Sequence, residues 1–441
     1  MSEDQRKGAG PWRPLREGAQ GQQAFEVAAE IAEALRDPPP AWVPGGVPGT
    51  AQEQEAEDGS LAGGRAGLAV LFAYLGQARS GHGDAETAVR FLNNAIEAVA
   101  AFPMSSSLYG GFTGVAWAVA HLQERLLLPP EEDPNEAIDE LLMDSLGRSP
   151  WSGEYDLISG LVGLGVYALE RLARPAARAC LERVIARLGE IAEESAEGIT
   201  WFTPPEQLPD WQRERCPEGY YNLGLAHGVP GVIALLGEAC AAGVARAEAQ
   251  PLLEGAVKWL LHQKLPEGAG SSFSSWAGPG VERDASRLAW CYGDVGIAAA
   301  LLFAARCIEE PTWEREAVQV ARAAAERPPE QSGIVDAGLC HGAAGLGHLF
   351  NRMFQATGEP VLGEAARFWL ERTLAMRQPG EGVAGYLAWA PLEPGDVKWA
   401  ADPGLLTGAA GVALALLAAT TSVEPAWDRM LLVSIPTRPG E

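Results

Sequence analysis

A recurring pattern of glycine and small apolar residues runs along the chain. Seven times, two glycines three positions apart are followed by a run of Ala, Val and Leu. A helix that is apolar on nearly every side is buried all round, so each copy predicts an inner helix that begins at its glycine pair. The glycine pairs are Gly64/Gly67, Gly111/Gly114, Gly160/Gly163, Gly228/Gly231, Gly293/Gly296, Gly342/Gly345 and Gly408/Gly411.

Segments with ordinary amphipathic spacing alternate with these apolar runs. Consecutive first glycines lie 47 to 68 residues apart, which is enough chain for two helices and their connections. The pattern therefore predicts an all-α fold, an α/α barrel or toroid of seven inner and seven outer helices. A closed ring of this kind has no exposed end to cap. Outer helices are expected in residues 86–101, 176–194, 251–263, 314–325 and 360–376.

The repeats indicate one large domain rather than several. They continue from about Ser60 to Ala418 without a segment whose composition marks a linker, so we expect a single barrel domain over residues 23–436. Residues 1–22 are expected to be a loose N-terminal lead-in and residues 437–441 a C-terminal tail. Residues 37–59 are rich in Pro, Gly and Glu and predict a surface loop.

The charge of the chain excludes some partners. The formal net charge is -25, which argues against nucleic acid or an anionic membrane and is compatible with a cationic peptide or with simple solubility. No run of 18 apolar residues occurs and the N-terminus has no apolar signal, so we expect no membrane span and a cytoplasmic protein. Six cysteines are too few for a disulfide scaffold, and a reducing compartment leaves thiolates free for metal.

Two cysteines occupy the same position in neighbouring repeats. Cys291 and Cys340 each stand two residues before the first glycine, and His341 follows Cys340 directly. For one cysteine, a small buried core residue is the simpler interpretation, but the shared position of two favours a metal. Two sulfurs and one imidazole nitrogen predict a zinc site of the catalytic type, with one ion per chain and an open fourth position.

Four further residues at the repeat openings are candidates for the same site. His227 stands directly before the first glycine of its repeat, as His341 does, and Asp156 opens the third repeat. Arg287 lies in the loop before the first cysteine of the predicted metal site, and Tyr292 follows that cysteine. Simpler roles stay open: an isolated histidine is usually a packed residue, Asp156 suits a helix cap, and Arg287 and Tyr292 suit a surface ion pair and a packed ring.

The phrases Trp-Cys-Tyr-Gly at 290–293 and Cys-His-Gly at 340–342, with Trp-Asp-Arg-Met-Leu-Leu at 427–432, resemble the lanthionine synthetase C family. These proteins are the cyclases of lanthipeptide biosynthesis, and the resemblance spans nearly the whole chain. Members often carry a small β-rich insertion, which we expect in residues 198–221. The resemblance implies that zinc is held by Cys291, Cys340 and His341 and that the catalytic residues are Asp156, His227, Arg287 and Tyr292.

The activity implied by this resemblance is that of a zinc-dependent peptide cyclase. A cysteine thiol of a dehydrated precursor peptide would add to a dehydroalanine or dehydrobutyrine of the same peptide, forming a lanthionine or methyllanthionine thioether ring. His227 would either take the thiol proton or return a proton to the enolate carbon, and the sequence leaves both roles open. No phosphate-binding loop is visible and no long N-terminal extension precedes the repeats, so we expect a cyclase only, with dehydration by a separate dehydratase.

Two other classes of function are compatible with parts of the pattern. A glutathione-linked relative would add a free thiol to a dehydroamino acid with the same metal site. A metal-free α/α barrel enzyme, such as a glycosidase or terpene cyclase, would need paired carboxylates or an aspartate cluster. The repeat openings offer few acidic residues besides Asp156 and Asp294, so this last class fits least well.

Overall fold

The computed structural model describes residues 12–40, 50–126, 133–393 and 396–437. Within these residues the α-helices, in chain order, are α1 Gly18–Ala34, α2 Ala51–Gly59, α3 Arg65–Ala78, α4 Asp84–Ala101, α5 Phe112–Leu126, α6 Glu136–Leu146, α7 Leu161–Glu170, α8 Pro175–Glu190, α9 Asp210–Arg215, α10 Val229–Ala241, α11 Arg246–His262, α12 Asp294–Ile308, α13 Pro311–Ala325, α14 Ala343–Thr357, α15 Pro360–Ala375 and α16 Ala409–Thr420. The strands are β1 Glu193–Ser195, β2 Gly198–Thr200, β3 Phe202–Thr203, β4 Tyr220–Asn222, β5 Trp276–Ala277, β6 Ala388–Glu393 and β7 Asp396–Ala400.

Two concentric rings of helices form the molecule. The inner ring consists of α3, α5, α7, α10, α12, α14 and α16, and each of these helices contacts the next, with α16 returning to α3. The outer ring consists of α1, α4, α6, α8, α11, α13 and α15. The inner helices are buried on nearly every side, as in α16, where all residues from Ala409 to Ala419 are buried. The predicted α/α barrel of seven inner and seven outer helices is confirmed.

The glycine pattern is explained by how each inner helix begins. In all seven repeats, the second glycine of the pair lies against the main-chain carbonyl oxygen of the residue six positions earlier. A Cβ at this glycine would come within 1.8–2.5 Å of that oxygen, far inside contact distance. Only glycine therefore lets the loop before the helix fold back onto the first helical turn.

Backbone hydrogen bonds join these opening loops to one another around the ring. Leu157 donates to the carbonyl of Ala226, Ala226 to that of Cys291, Trp290 to that of Cys340, Cys340 to that of Leu406, Leu405 to that of Ala62, and Ala62 to that of Tyr109, at 2.7–3.4 Å. We call this series the hydrogen-bond belt. Because it links consecutive repeats at the same structural position, it gathers the residues of the openings at one end of the barrel.

The middle of the inner ring is occupied by a late segment of the chain itself. A 3₁₀ helix, Ala426–Leu431, contacts residues from repeats that lie apart on the ring. The hydroxyl of Tyr109, from the second repeat opening, donates to the carbonyl of Met430 at 2.9 Å. The indole of Trp290, from the fifth, donates to the carbonyl of Leu431 at 3.0 Å. We call residues 426–435 the central segment.

The boundaries of the packed chain differ from those expected. The indole of Trp12 donates to the carbonyl of Ala418 at 2.8 Å, and α1 begins at Gly18, so packing begins before the boundary expected at residue 23. The segment expected to be a surface loop, residues 37–59, contains α2, because Thr50 caps its first turn by accepting a hydrogen bond from the amide of Glu53. Residues 1–11 of the expected lead-in, 41–49 of that loop and 438–441 of the expected tail lie outside the described residues.

Three small sheets interrupt the helices. Strand β1 pairs with β2, and β3, β4 and β5 form a second antiparallel sheet, so the stretch expected to hold a small β insertion does contain strands. The third sheet, the hairpin of β6 and β7, was not expected from the sequence. In its register Trp389 lies opposite Trp399. In the described part of the chain, no helix combines the length and the apolar character needed to cross a membrane.

Candidate active site

The residues predicted as metal ligands lie together at one end of the barrel. The ligand atoms of Cys291, Cys340 and His341 are all within 4.8 Å of one another. They meet because the hydrogen-bond belt ties the fifth opening to the sixth, with the Trp290 amide 3.0 Å from the Cys340 carbonyl oxygen. The chain turns at Gly293, two residues after Cys291, and the φ of 96° at this glycine is disfavoured for any residue with a side chain. The group is one that could hold a metal ion.

The pKa values of the three side chains in this group are shifted in different directions. The hydrogen bond with Cys340 lowers the pKa of the Cys291 thiol well below its ordinary value, and His341 and the charge of Arg287 add to this effect. The same hydrogen bond raises the pKa of Cys340 well above its ordinary value. Burial opposes the protonated form of His341, but its hydrogen bond with Cys291 raises the pKa of the imidazole overall. Cys291 is therefore the thiol of the group that loses its proton most readily, which suits it to bind a metal ion.

The chemistry of the donors fits zinc. Two sulfurs and an imidazole nitrogen are the ligands that zinc prefers, and three protein ligands are the usual number where a fourth position serves a substrate. Asp336 lies behind the group, with Oδ2 3.8 Å from Nε2 of His341. A carboxylate at this place is the kind of outer partner that orients a ligating histidine.

Asp156 and His227 form a pair beside the metal group. Nδ1 of His227 lies 2.6 Å from Oδ2 of Asp156, while Oδ1 of the same carboxylate accepts the amide hydrogen of Ser159 at 2.8 Å. Asp156 thus serves both as a cap of its opening loop and as the partner of the histidine. Burial opposes protonation of His227, but the hydrogen bond and charge of Asp156 raise the pKa of the imidazole overall. Because Nδ1 is engaged, Nε2 is the nitrogen left for exchange with a substrate.

Tyr292 lies between this pair and the cysteines. Its ring stacks on that of His227 with centroids 5.9 Å apart. The side-chain amide of Asn222 donates to its hydroxyl oxygen at 3.0 Å. Burial raises the pKa of Tyr292 well above its ordinary value, so the phenol keeps its proton and can donate it in a hydrogen bond.

A cavity of about 310 Å³ opens in front of His227. The barrel contributes Glu154, Asp156, His227 and Tyr292 to its wall, and the insertion between α8 and α10 contributes Gln207, Gln212 and Tyr220. The wall is therefore built from three successive repeat openings and the β insertion. Its mixture of aromatic and hydrogen-bonding side chains is typical of a site that binds an organic ligand.

Arg287 also borders the metal group, since its charge helps to lower the pKa of the Cys291 thiol. Its guanidinium carbon is 5.7 Å from the ring centroid of Trp389, in the β6–β7 hairpin. The same indole is nearly perpendicular to the ring of His341, with centroids 6.2 Å apart. The seven residues singled out from the sequence thus lie around one end of the barrel, with the cavity in front of His227 and the hairpin beside Arg287 and His341.

Several residues of this region were not singled out from the sequence. Asn222 and Asp336 share a register with Asp402, six positions before the first glycine, and each accepts the amide hydrogen of the residue two positions later, at 2.8, 3.2 and 2.7 Å. This shared register was a signal that could have found them. Trp389 has no counterpart in the repeats, so periodicity alone could not indicate it.

Comparisons with known proteins agree with the architecture of the chain. The family model described as lanthionine synthetase C-like protein matches residues 55–432. The nisin biosynthesis protein NisC of Lactococcus lactis subsp. lactis is 27% identical over 266 residues, which are 55% of this chain and 61% of that protein. The match thus spans less than two thirds of the length of that relative.

A solved structure of a nisin cyclase has the same fold. The two superpose with a TM-score of 0.70 over 93% of this chain and 97% of the other, at 20% sequence identity. A likeness at this identity concerns the fold alone. The family model, however, covers most of the chain, including all seven repeats and the cysteine and histidine positions. The chain belongs to the lanthionine synthetase C-like family.

Proposed function

We propose that this protein is a zinc-dependent peptide cyclase. It adds cysteine thiols of a dehydrated precursor peptide to dehydroalanine or dehydrobutyrine residues of the same peptide, giving lanthionine and methyllanthionine rings. The observation that carries the proposal is the proximity of the Cys291, Cys340 and His341 group to the hydrogen-bonded pair of Asp156 and His227. A thiol-activating metal group and a proton carrier are the two parts that this addition requires.

Cys291, Cys340 and His341 would hold the zinc ion. A bound zinc ion supplies Lewis acidity that lowers the pKa of a substrate thiol and leaves a thiolate as the nucleophile. The lowered pKa of the Cys291 thiol and its hydrogen bond with His341 support this assignment.

His227 carries the proton between the two ends of the reaction. The new bond joins the thiol sulfur to the β-carbon, while the thiol loses a proton and the α-carbon gains one, so atoms and charge balance without an oxidant or a nucleotide. Nε2 is the free nitrogen of His227, and Asp156 holds the ring through Nδ1 at 2.6 Å. Burial opposes protonation of His227, but Asp156 raises the pKa of the imidazole overall, so the ring can hold the proton taken from the thiol until it passes to the α-carbon.

The enolate oxygen that forms during the addition needs positive charge or a hydrogen-bond donor. Tyr292 keeps its proton because burial raises the pKa of its phenol, and it lies between His227 and the cysteines. Arg287 contributes a positive charge beside the metal group. Both are therefore assigned to the stabilisation of this oxygen.

The setting of the reaction follows from its chemistry. All six cysteines are free thiols, and a thiol substrate must stay reduced, so the reaction belongs in a reducing compartment such as the cytoplasm. The cavity of about 310 Å³ in front of His227 accommodates a few side chains of a peptide. The dehydroamino acids must come from an enzyme that removes water from Ser and Thr, and we assign this step to a separate dehydratase.

The test is incubation of the zinc-loaded protein with a dehydrated precursor peptide, followed by thiol alkylation and mass spectrometry. Cyclisation leaves the peptide mass unchanged and removes alkylatable thiols. We expect wild-type protein to remove them and His227→Ala to keep its zinc but to be slower by about 100-fold or more. Ring formation at the wild-type rate by His227→Ala would contradict the assignment of the proton carrier.

The same experiment separates cyclisation from addition of a free thiol. With glutathione present, a glutathione-linked enzyme would increase the peptide mass by one glutathione for each dehydroamino acid consumed. We expect no such adduct with wild-type protein. Adduct formation without loss of peptide thiols would overturn the proposal in favour of that second activity.

A further inference from the structure

The β6–β7 hairpin is fixed on the barrel by small side chains. Ala388, Ala390 and Ala400 are 6%, 1% and 8% exposed, so this face of the hairpin is buried. Because side chains alternate along a strand, Trp389 and its cross-strand partner Trp399 are on the other face. Trp399 is 49% exposed, whereas Trp389 is partly covered by the residues of the active site.

The position of Trp389 is set by the sixth repeat opening. Its backbone amide donates to Oδ2 of Asp336 at 3.0 Å, and Oδ1 of Asp336 accepts the amide hydrogen of Gly338 at 3.2 Å. Asp336 is 2% exposed, so water does not compete for these hydrogen bonds. The hairpin and the loop that carries Cys340 and His341 are therefore held in register by one buried carboxylate.

The indole of Trp389 lies against the Arg287 guanidinium. The guanidinium carbon is 5.7 Å from the indole centroid, within the range of a cation–π contact. Among the described residues, none accepts a hydrogen bond from this guanidinium and no carboxylate pairs with it. An arginine has four rotatable side-chain bonds, so without such a contact its charge would be spread over many positions.

We propose that Trp389 is a positioning residue of the active site, which holds the Arg287 guanidinium beside the metal group through the face of its indole. The same indole is nearly perpendicular to the His341 ring, whose centroid is 6.2 Å away, so this contact lies next to the metal group. The assignment deepens the proposed function, because it rests on Arg287 stabilising the enolate oxygen. Its consequence is that the hairpin, which lies outside the repeats, is a working part of the site.

The kinetic test compares Trp389→Phe and Trp389→Leu with the control Trp399→Leu, which removes an exposed tryptophan from the same face of the hairpin. We expect Trp389→Leu to lower kcat roughly 10- to 100-fold with KM changed little, since the charge is misplaced but the peptide still binds. Trp389→Phe retains an aromatic face and should recover most of the loss. An equal loss in Trp399→Leu, or no rescue by Phe, overturns the proposal.

A double-mutant cycle connects the effect to Arg287. In an Arg287→Gln background, the positioning role is already lost, so Trp389→Leu should lower kcat less than twofold further. If Trp389→Leu lowers kcat by the same factor in both backgrounds, Trp389 acts independently of Arg287 and the proposal is wrong.

A second readout does not depend on cyclase activity. Urea unfolding is measured for wild-type protein, Trp389→Leu, Arg287→Gln and the double variant. A cation–π contact predicts that the midpoint shifts of the two single variants add up to more than the shift of the double variant. If the two substitutions are coupled in stability but wild-type protein forms no rings, the proposed function is wrong and the contact between Trp389 and Arg287 still stands. If the midpoint shifts are additive, the contact contributes nothing to stability and the proposal is wrong, whatever the activity.

Discussion

At the scale of single residues, surroundings divide the six cysteines into two kinds. Burial raises the pKa of the Cys180 thiol to about 12 and also raises that of Cys240, and both lie within helices. Cys291 is buried as well, yet its pKa is lowered by the hydrogen bond with Cys340. Sequence register distinguishes Cys291 and Cys340 from the cysteines inside helices, because only the opening loops bring two cysteines and a histidine to the same place.

The metal group gives the prediction that belongs to this scale. Cys340→Ala removes one of three ligands, so we expect the affinity for zinc to fall by more than about 100-fold. Loss of a residue that only hydrogen-bonds to a ligand lowers metal affinity by about 10- to 100-fold. Cys240→Ala removes a buried thiol outside the group and should retain one zinc ion per chain. Metal content after dialysis against a chelator measures both. Full zinc occupancy in Cys340→Ala would show that the ion binds elsewhere.

The roles of other residues of the site could not be settled from the sequence, because they depend on contacts across the fold. Asp156 was equally compatible with a helix cap, and the structure gives its carboxylate both the cap and the contact with His227. Trp389 carries no periodic signal, and its contact with Arg287 exists only because the hairpin folds over the sixth opening. Spacing along the chain reveals equivalent positions in repeats but not partners from an irregular segment.

At the scale of elements, the glycine openings could be predicted well. The inner helices begin directly after the first glycines, since the second glycine of each pair has no room for a side chain. The outer helices were predicted less completely. Residues 86–101 and 314–325 lie within α4 and α13, whereas α1 and α6 were not singled out.

The opening at Gly293 supplies the prediction for elements. A Cβ at this position would lie 1.8 Å from the carbonyl oxygen of Arg287, and φ is 96°. We expect Gly293→Ala to lower the free energy of unfolding by about 3 kcal/mol or more through strain and the clash together, and to weaken metal binding. The control is Gly243→Ala, where φ is 65° but nothing lies within 4 Å.

Gly243→Ala should cost only about 1–2 kcal/mol, the ordinary penalty of a left-handed conformation. Urea unfolding of both variants gives the comparison, with zinc content as the second measurement. Equal losses of stability in the two variants would mean that the clash with the opening loop is relieved at no cost.

At the scale of the whole molecule, the central segment connects the ring to a buried charge cluster. Oδ2 of Asp428 accepts hydrogen bonds from Nε2 of His348 at 2.7 Å and from Nε of Arg352 at 2.5 Å. Burial opposes the charged form of Asp428, but Arg352 lowers the pKa of the carboxyl overall. Burial also lowers the pKa of His348, and its Nδ1 has no hydrogen-bond partner within the described residues. The pKa of His348 in the folded ring therefore lies below its ordinary value.

This cluster predicts how stability depends on pH. Below pH about 6.5, the unfolded chain binds a proton at His348 that the folded chain does not, so the free energy of unfolding falls as the pH is lowered through this range. His348→Gln keeps a hydrogen-bond donor for Asp428 but cannot titrate. Its free energy of unfolding should therefore fall less steeply with decreasing pH than that of wild-type protein. The pKa of His227 is raised, so its effect on the pH dependence of stability has the opposite sign: its contribution is lost as the pH rises above this range.

Urea unfolding at about pH 7.5 and 5.5 measures the difference between wild-type protein and His348→Gln, and the control is His82→Gln, which replaces an exposed histidine. His82→Gln should keep the wild-type pH dependence. An unchanged decline in His348→Gln would mean that His348 is already protonated in the folded protein.

The central segment also bears on how the protein is made. Residues 426–435 are translated after all seven repeats, yet they bond to the second and fifth openings, and Leu15 and Arg16 bond to the carbonyl of Ala419 from the last inner helix. A nascent chain on the ribosome can form helix pairs but cannot fill the middle of the ring until these residues leave the exit tunnel. The cysteine and histidine loops then acquire their final spacing only after the central segment has emerged, so metal loading is expected to follow that step.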